Sequence, residues 1–169
     1  LALRSRGDAL LGLGKHAEAI ADYEKAYKLE PKDSGLLNNF AWVLATSTFD
    51  NLRNGKRAIQ LATEAAKLTE YKQAHILSTL GAAYAETGDF KTAMEWSQKA
   101  IAAGSAEQKT DLEKELASYK AGKPWRELQA PKRERPKPDA KKKPGKEKSE
   151  AEKKPQPKVK PKVEKTTIL

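Results

Sequence analysis

The chain has 169 residues, with 33 lysine and arginine residues against 23 aspartate and glutamate residues, and it contains no cysteine. The absence of cysteine excludes disulfides, thiolate zinc sites and cysteine nucleophiles, and no stretch has the ~18 apolar residues needed to cross a bilayer. Residues 1–122 are electrically neutral, so the whole formal charge of +10 belongs to residues 123–169.

The first predicted element is a helical hairpin with small residues at regular intervals. Gly7 is followed by Gly14 after seven residues and by Ala19 after twelve, and Ala26 follows Ala19 after seven more. Small side chains at such spacings let two helices approach closely. Pro31 ends the hairpin because proline lacks the amide donor that a continuing helix needs.

A second copy of this pattern follows, with a longer turn. Ala41 and Ala58 are separated by 17 residues, whereas the equivalent residues of the first hairpin are 12 apart. Five extra residues within positions 46–54 therefore lengthen the turn between the two predicted helices. Asn54 is a residue type that commonly caps the start of a helix, so we expect the second helix to begin there.

The third copy restores the spacing of the first. Gly81 is followed by Gly88 after seven residues and by Ala93 after twelve, and Ala100 follows seven residues later. Asp89 is a good N-cap residue for the second helix of this pair. Three copies in phase indicate a repeat protein, because a fixed period of 20–50 residues is the signature of repeat architectures.

These residues resemble the tetratricopeptide repeat, a pair of antiparallel helices that recurs every ~34 residues. The resemblance covers about residues 1–104 and implies an all-α solenoid that is right-handed. It places the three repeats at about residues 1–33, 34–72 and 73–104. The long turn of the middle copy is similar to a variant found in large bacterial proteins of this family. Leu1 and Leu3 already fit the repeat, which predicts further sequence upstream in the native protein.

A seventh helix is predicted over residues 105–122 as a cap on the repeats. Ser105 and Gln108 fit a capping box at its start, and Leu112 and Leu116 recur on one apolar face. Terminal elements of a solenoid need a polar outer face, and the remaining residues of this helix supply one.

A lysine- and proline-rich tail is predicted for residues 123–169. The last 41 residues contain 13 lysines, seven prolines and no aromatic residue, so they have too few apolar groups to offset the entropy of ordering. We therefore expect disorder from residue 129. The tail is either a solvated tether or a region of weak, non-specific contact with a polyanion.

The sequence offers little catalytic chemistry. His16 and His75 lie in different repeats without a histidine or acid partner at metal-binding spacing. The glycines lack the sequence that ends a phosphate-binding loop, and the repeat accounts for them. We expect no enzymatic activity, no cofactor and no metal site in this chain.

The resemblance implies a concave groove that binds a partner. The family's groove-facing positions correspond to Arg4, Asp8, Leu11, Asn38, Asn39, Trp42, Thr46, Ser78, Ala82 and Glu86. Trp42 is either a binding anchor or a core residue. Asn38 and Asn39 either clamp a peptide backbone through their amides or bridge neighbouring helices.

The function implied is protein–protein interaction or scaffolding, with a peptide or helix of a partner bound in the groove. Some family members clamp the C-terminal carboxylate of chaperones, but Asp8 occupies a clamp position here and would repel that carboxylate. The alternatives are an adaptor that binds a polyanion through the tail, and the regulatory C-terminal part of a larger enzyme. The sequence does not assign a compartment, although cytoplasm is slightly favoured over export.

Overall fold

The computed structural model describes residues 2–127. Within that range the chain forms seven α-helices, with one short 3-10 helix (Asp50–Leu52) between the third and fourth. They are α1 (Ala2–Gly12), α2 (His16–Leu29), α3 (Ser34–Thr46), α4 (Gly55–Leu68), α5 (Ala74–Glu86), α6 (Phe90–Ala103) and α7 (Ala106–Lys120). None of these helices is long and apolar enough to cross a membrane.

Successive helices pack as three hairpins. Helix α1 pairs with α2, α3 with α4 and α5 with α6, while α7 lies against α6 and α5. The predicted all-α array of helical hairpins with an additional C-terminal helix is confirmed. The disorder predicted for residues 129–169 lies outside the described residues.

Small residues allow the helices of each hairpin to touch. A Cβ atom built on Gly7 would lie 2.6 Å from the ring of Tyr23, which is fully buried. A Cβ atom on Gly81 would lie 3.1 Å from the carbonyl oxygen of Ala93 in the facing helix. Protein interiors are packed to crystal-like density, so larger side chains at these glycines would force the helices apart.

The alanines of the repeat pattern lie in the same contacts. Ala19, Ala41, Ala58 and Ala93 are all fully buried. One continuous apolar core runs from the first hairpin into α5, and smaller clusters join α5 and α6 to α7.

The turn between α3 and α4 has eight residues, five more than the turn between α1 and α2. It is held by specific contacts. The Arg53 guanidinium donates to the Ser47 carbonyl at 2.8 Å, and the Asn54 amide donates to the Leu44 carbonyl at 2.8 Å. The buried His16 Nδ1 lies 2.8 Å from Ser47 Oγ, which ties the first hairpin to this turn and gives His16 a structural role.

Capping residues fix where the helices start. Asn54 Oδ1 accepts from the Arg57 amide at 3.0 Å, and Asp89 Oδ1 accepts from the Thr92 amide at 3.1 Å, as their residue types predict. Asp33 caps α3 in the same way, although its residue type was not used to predict that start. These caps satisfy amides that have no partner inside their own helix.

The first five residues of the predicted tail, 123–127, belong to the folded part. Gly122 turns the chain at the end of α7 with a φ of 66°. Trp125 then packs against Ala85, Ala93 and Tyr119. The tail prediction rested on charge and proline content, whereas this tryptophan brings enough apolar surface to dock the chain on the helices.

Candidate functional site: the groove across α1, α3, α5 and α7

The first helices of the three hairpins lie side by side with α7. We call their shared face the groove. Asp8 of α1, Asn39 and Trp42 of α3, Ser78 of α5 and Glu115 of α7 mark it from one side to the other.

Hydrogen bonds connect the first three of these helices across the groove. Asp8 Oδ1 accepts from Asn39 Nδ2 at 2.9 Å and from the Tyr23 hydroxyl at 2.8 Å. Asn38 Nδ2 donates to Asn39 Oδ1 at 3.0 Å, and Asn38 Oδ1 accepts from the Thr79 hydroxyl at 2.8 Å. The two asparagines therefore bridge neighbouring helices.

A buried carboxylate joins α5 to α7. The Ser78 hydroxyl donates to Glu115 Oε2 at 2.6 Å, and both residues are more than nine-tenths buried. Burial raises the pKa of Glu115 to about 7, although the hydrogen bond from Ser78 opposes the rise and nearby Asp111 adds to it. Near neutral pH this wall of the groove therefore gains or loses a negative charge.

A cleft of about 420 Å³ opens between α3, α5 and α7. Most of its lining residues are polar, among them His75, Thr79, Asp111 and Glu115, and Trp42 forms an apolar wall. Its volume is within the range of small-ligand sites, so it has room for one or two side chains of a peptide.

The other end of the groove lies at the C-termini of α3 and α5 and is covered by the chain itself. The Glu86 carboxylate accepts from Arg53 Nε at 2.9 Å and pairs with Arg126 Nη2 at 2.6 Å. Arg126 also donates to the Ala45 carbonyl at 3.4 Å. One carboxylate is thus held between an arginine of the long turn and an arginine of the segment that follows α7.

Glu127 completes this covered end. Its amide donates to the Thr46 carbonyl at 2.9 Å, and its side-chain Oε2 accepts from Trp42 Nε1 at 2.9 Å. Burial raises the pKa of Glu127, while the bond from Trp42 partly offsets that rise. Trp42 is partly buried against the core, and its only polar group is used by this segment.

Two family models of the tetratricopeptide repeat match the chain, one over residues 1–33 and the other over residues 74–103. This chain is a tetratricopeptide-repeat (TPR) protein. The matches cover the first and third hairpins and flank the long-turn hairpin between them. Comparison with curated proteins found no match. TPR repeats are generally protein–protein interaction modules and typically have no catalytic role.

Seven of the ten predicted groove residues take part in the contacts described above. The other three TPR positions take no part in them. Arg4 pairs with Asp33 at 2.8 Å, at the start of α3. Leu11 is partly buried against the core. Ala82 is 1% exposed and lies within the core, so it offers almost no side-chain surface to a ligand.

Helix α7 and the segment after it contribute to the TPR groove, and neither contribution was predicted from the sequence. Glu115 lies on the same face of α7 as Leu112 and Leu116. A single acidic residue on an apolar helix face could have indicated a buried carboxylate. Arg126 and Glu127 gave no such signal, because their partners in α3 and α5 are 40 or more positions away along the chain. Within residues 2–127 no group of histidine and acidic side chains has the arrangement to hold a metal ion.

Proposed function

We propose that this TPR protein binds a peptide or helix of a protein partner in the groove. The observation that supports the proposal most is that the groove already accepts a non-helical segment. Residues 125–127 lie on it with one backbone hydrogen bond and three polar side-chain contacts to α3 and α5. Such contacts are typical of peptide recognition, in which backbone bonds give affinity and side chains give specificity.

The open cleft is the second part of this proposed site. Carboxylates of Asp111 and Glu115 and the amide groups of Asn38 and Asn39 line it beside the Trp42 ring. A lysine or arginine side chain matches these acceptors, and its aliphatic part can lie along the tryptophan. We therefore expect the partner segment to place a basic residue in the cleft.

Peptide selection tests this proposal even when the partner is unidentified. Random peptides displayed on phage would be selected on the full chain and then tested on two variants of α7. Asp111→Lys reverses a charge that lines the cleft, whereas Glu113→Lys makes the same change at an exposed position outside the cleft. Loss of about tenfold or more in affinity with Asp111→Lys alone is the expected result. Equal binding to both variants, or no selected peptide, would contradict groove binding.

The basic tail supports a second candidate function, a polyanion-binding adaptor, because residues 123–169 carry the whole net charge of +10. Binding through lysine–phosphate contacts falls steeply as salt rises. Titration of the full chain and of residues 1–128 with RNA and duplex DNA at two salt concentrations separates the two functions. Tight binding near physiological salt that requires the tail would favour the adaptor.

A further inference from the structure

We propose that Trp125–Glu127 is an intramolecular ligand of the groove. A partner segment with the same chemistry, an aromatic residue followed by arginine and an acid, then binds the covered end by displacing these residues. We call Trp125–Glu127 the strap. This inference rests on the proposed function and specifies how access to one end of the groove is controlled.

The aromatic residue of the strap supplies its apolar contact. Trp125 packs on a small platform formed by Ala85, Ala93 and Tyr119, at the junction of α5, α6 and α7. The two alanines are fully buried and have short side chains, which leaves space for a large ring beside them. Trp125 is partly buried there, and a tryptophan packed on an apolar surface is a common anchor of a protein interface.

The arginine of the strap is recognised by a carboxylate that is already positioned. Arg53 holds Glu86 through a 2.9 Å hydrogen bond to Oε1, which leaves Oε2 to pair with Arg126 Nη2 at 2.6 Å. The contact between Arg126 and Glu86 is an ion pair with both side chains partly buried, so salt screens it less than it would an exposed pair. The planar guanidinium also reaches the Ala45 carbonyl, a second acceptor that a lysine could not contact in the same geometry.

The acidic residue of the strap uses the end of α3. The last carbonyls of a helix have no partner within the helix, and the Glu127 amide donates to one of them, that of Thr46. The Glu127 carboxylate accepts from the indole of Trp42. An amide and a carboxylate on one residue therefore match two groups that are one turn apart on the same helix.

These contacts are compatible with release of the strap. The strap follows the end of α7, so its release does not require any helix to unwind. The chain reaches the groove through Gly122 and Pro124, directly after α7. A short tether gives an effective concentration on the order of mM, so a competing segment binds the intact protein weakly unless the strap is weakened.

A labelled peptide with the sequence of residues 122–130, GKPWRELQA, is the probe for this competition. The full chain with Arg126→Ala and Glu127→Ala keeps Trp125 but loses the polar side-chain contacts of the strap. The control is the full chain with Lys120→Ala and Lys123→Ala, two exposed residues beside the strap. Fluorescence anisotropy should show that the opened variant binds the probe about tenfold tighter, or more, than the wild type and the control do. A probe with alanine in place of its arginine should bind much more weakly.

Equal binding of the probe to the wild type and the opened variant, or no binding to either, would overturn the proposal. A thermal melt checks that the opened variant folds. If it melts well below the control, Arg126→Lys serves instead, because it keeps the charge but loses the planar fork. Failure here while cleft peptides still respond to Asp111→Lys would remove the strap proposal and leave the proposed function intact. If the opened variant binds the probe more tightly but no cleft peptide is selected, the strap proposal is supported and the proposed binding in the cleft is contradicted.

Discussion

The two ends of the groove are built on the same helices, yet their polar groups are satisfied in different ways. At the open end, side chains of neighbouring helices bond to each other, as Asn38 does with Thr79 and Ser78 with Glu115, and a cleft remains beside them. At the covered end, the helix C-termini present carbonyls and the carboxylate of Glu86. The strap supplies a backbone donor to the Thr46 carbonyl, and its Arg126 forms an ion pair with Glu86, to which Arg53 of the long turn also donates. Acceptors at helix ends can therefore bind a segment from elsewhere in the chain. Polar side chains that pair with each other within the repeats need no such segment.

The largest effect is expected from removing the carboxylate at the covered end. Glu86→Ala leaves Arg53 and Arg126 without their shared partner, and Arg53 is only 12% exposed. Breaking one partner of a largely buried charge cluster should lower the free energy of unfolding by about 2–4 kcal/mol. Urea denaturation would measure it.

The matched control for this change is Glu95→Ala, which removes an exposed carboxylate from α6. Surface substitutions of this kind usually change stability by less than about 0.5 kcal/mol. If both variants lose the same amount of stability, the Glu86 cluster does not hold the covered end together.

A smaller loss of unfolding free energy is expected from Gly81→Leu. This change affects both ends of the groove because α5 contributes to each. Its new side chain would meet the backbone of α6, where a Cβ atom would already lie 3.1 Å from the Ala93 carbonyl oxygen. Overpacking of this kind typically lowers stability by about 1–3 kcal/mol. Gly12→Ala is the control, since nothing lies within 4 Å of a Cβ there. A melt of Gly81→Leu that matches Gly12→Ala would mean that this helix contact is not close.

The open end should respond to pH through Glu115. Its pKa is about 7 in the folded chain against 4.5 for the free side chain, so the folded state keeps a proton that the unfolded state releases. The free energy of unfolding should therefore fall as pH rises from about 4.5 to about 7 and level off above that.

Glu115→Gln should remove this dependence. Relative to wild type, the variant should gain about 1–2 kcal/mol in unfolding free energy between pH 5 and pH 8. Glu113→Gln, on the exposed side of the same helix, is the control and should track wild type. Parallel pH profiles for wild type and Glu115→Gln would show that Glu115 titrates normally.

The smallest effect is expected from Trp42→Phe. This change keeps an aromatic ring against the core but removes the indole donor to Glu127. A hydrogen bond to a charged group contributes roughly 1.5–3 kcal/mol, and we expect part of that to be regained when water hydrates the freed carboxylate. We expect Trp42→Phe to lower the free energy of unfolding by about 1 kcal/mol in the wild-type chain. In a chain that already carries Glu127→Ala, the same change should cause no further loss. Additive losses would contradict the contact.

The sequence was sufficient to predict the repeats because their information is local. Gly7, Ala19 and Gly81 recur at fixed spacings, and the difference between 17 and 12 residues in the middle copy predicted the longer turn. Residue types alone also indicated the caps at Asn54 and Asp89.

The pairings within the groove were beyond such reasoning. Thr79 and Asn38 are 41 positions apart, and Glu127 and Trp42 are 85 apart, so neither pair leaves a periodic trace. Whether Asn38 and Asn39 clamp a peptide backbone or bridge neighbouring helices depended on which helix lies opposite their side chains. Arg126 was assigned to a charged tail because only its three-dimensional neighbour, Glu86, distinguishes it from the other basic residues there.

Amide hydrogen exchange at Glu127 tests the central claim most directly. That amide donates to the Thr46 carbonyl at 2.9 Å, so in the full chain it should exchange at least about tenfold more slowly than an unstructured amide. Protection should disappear in the Arg126→Ala variant while the amides of α5 keep theirs. Exchange of Glu127 at the unprotected rate in the wild type would show that the strap does not occupy the groove.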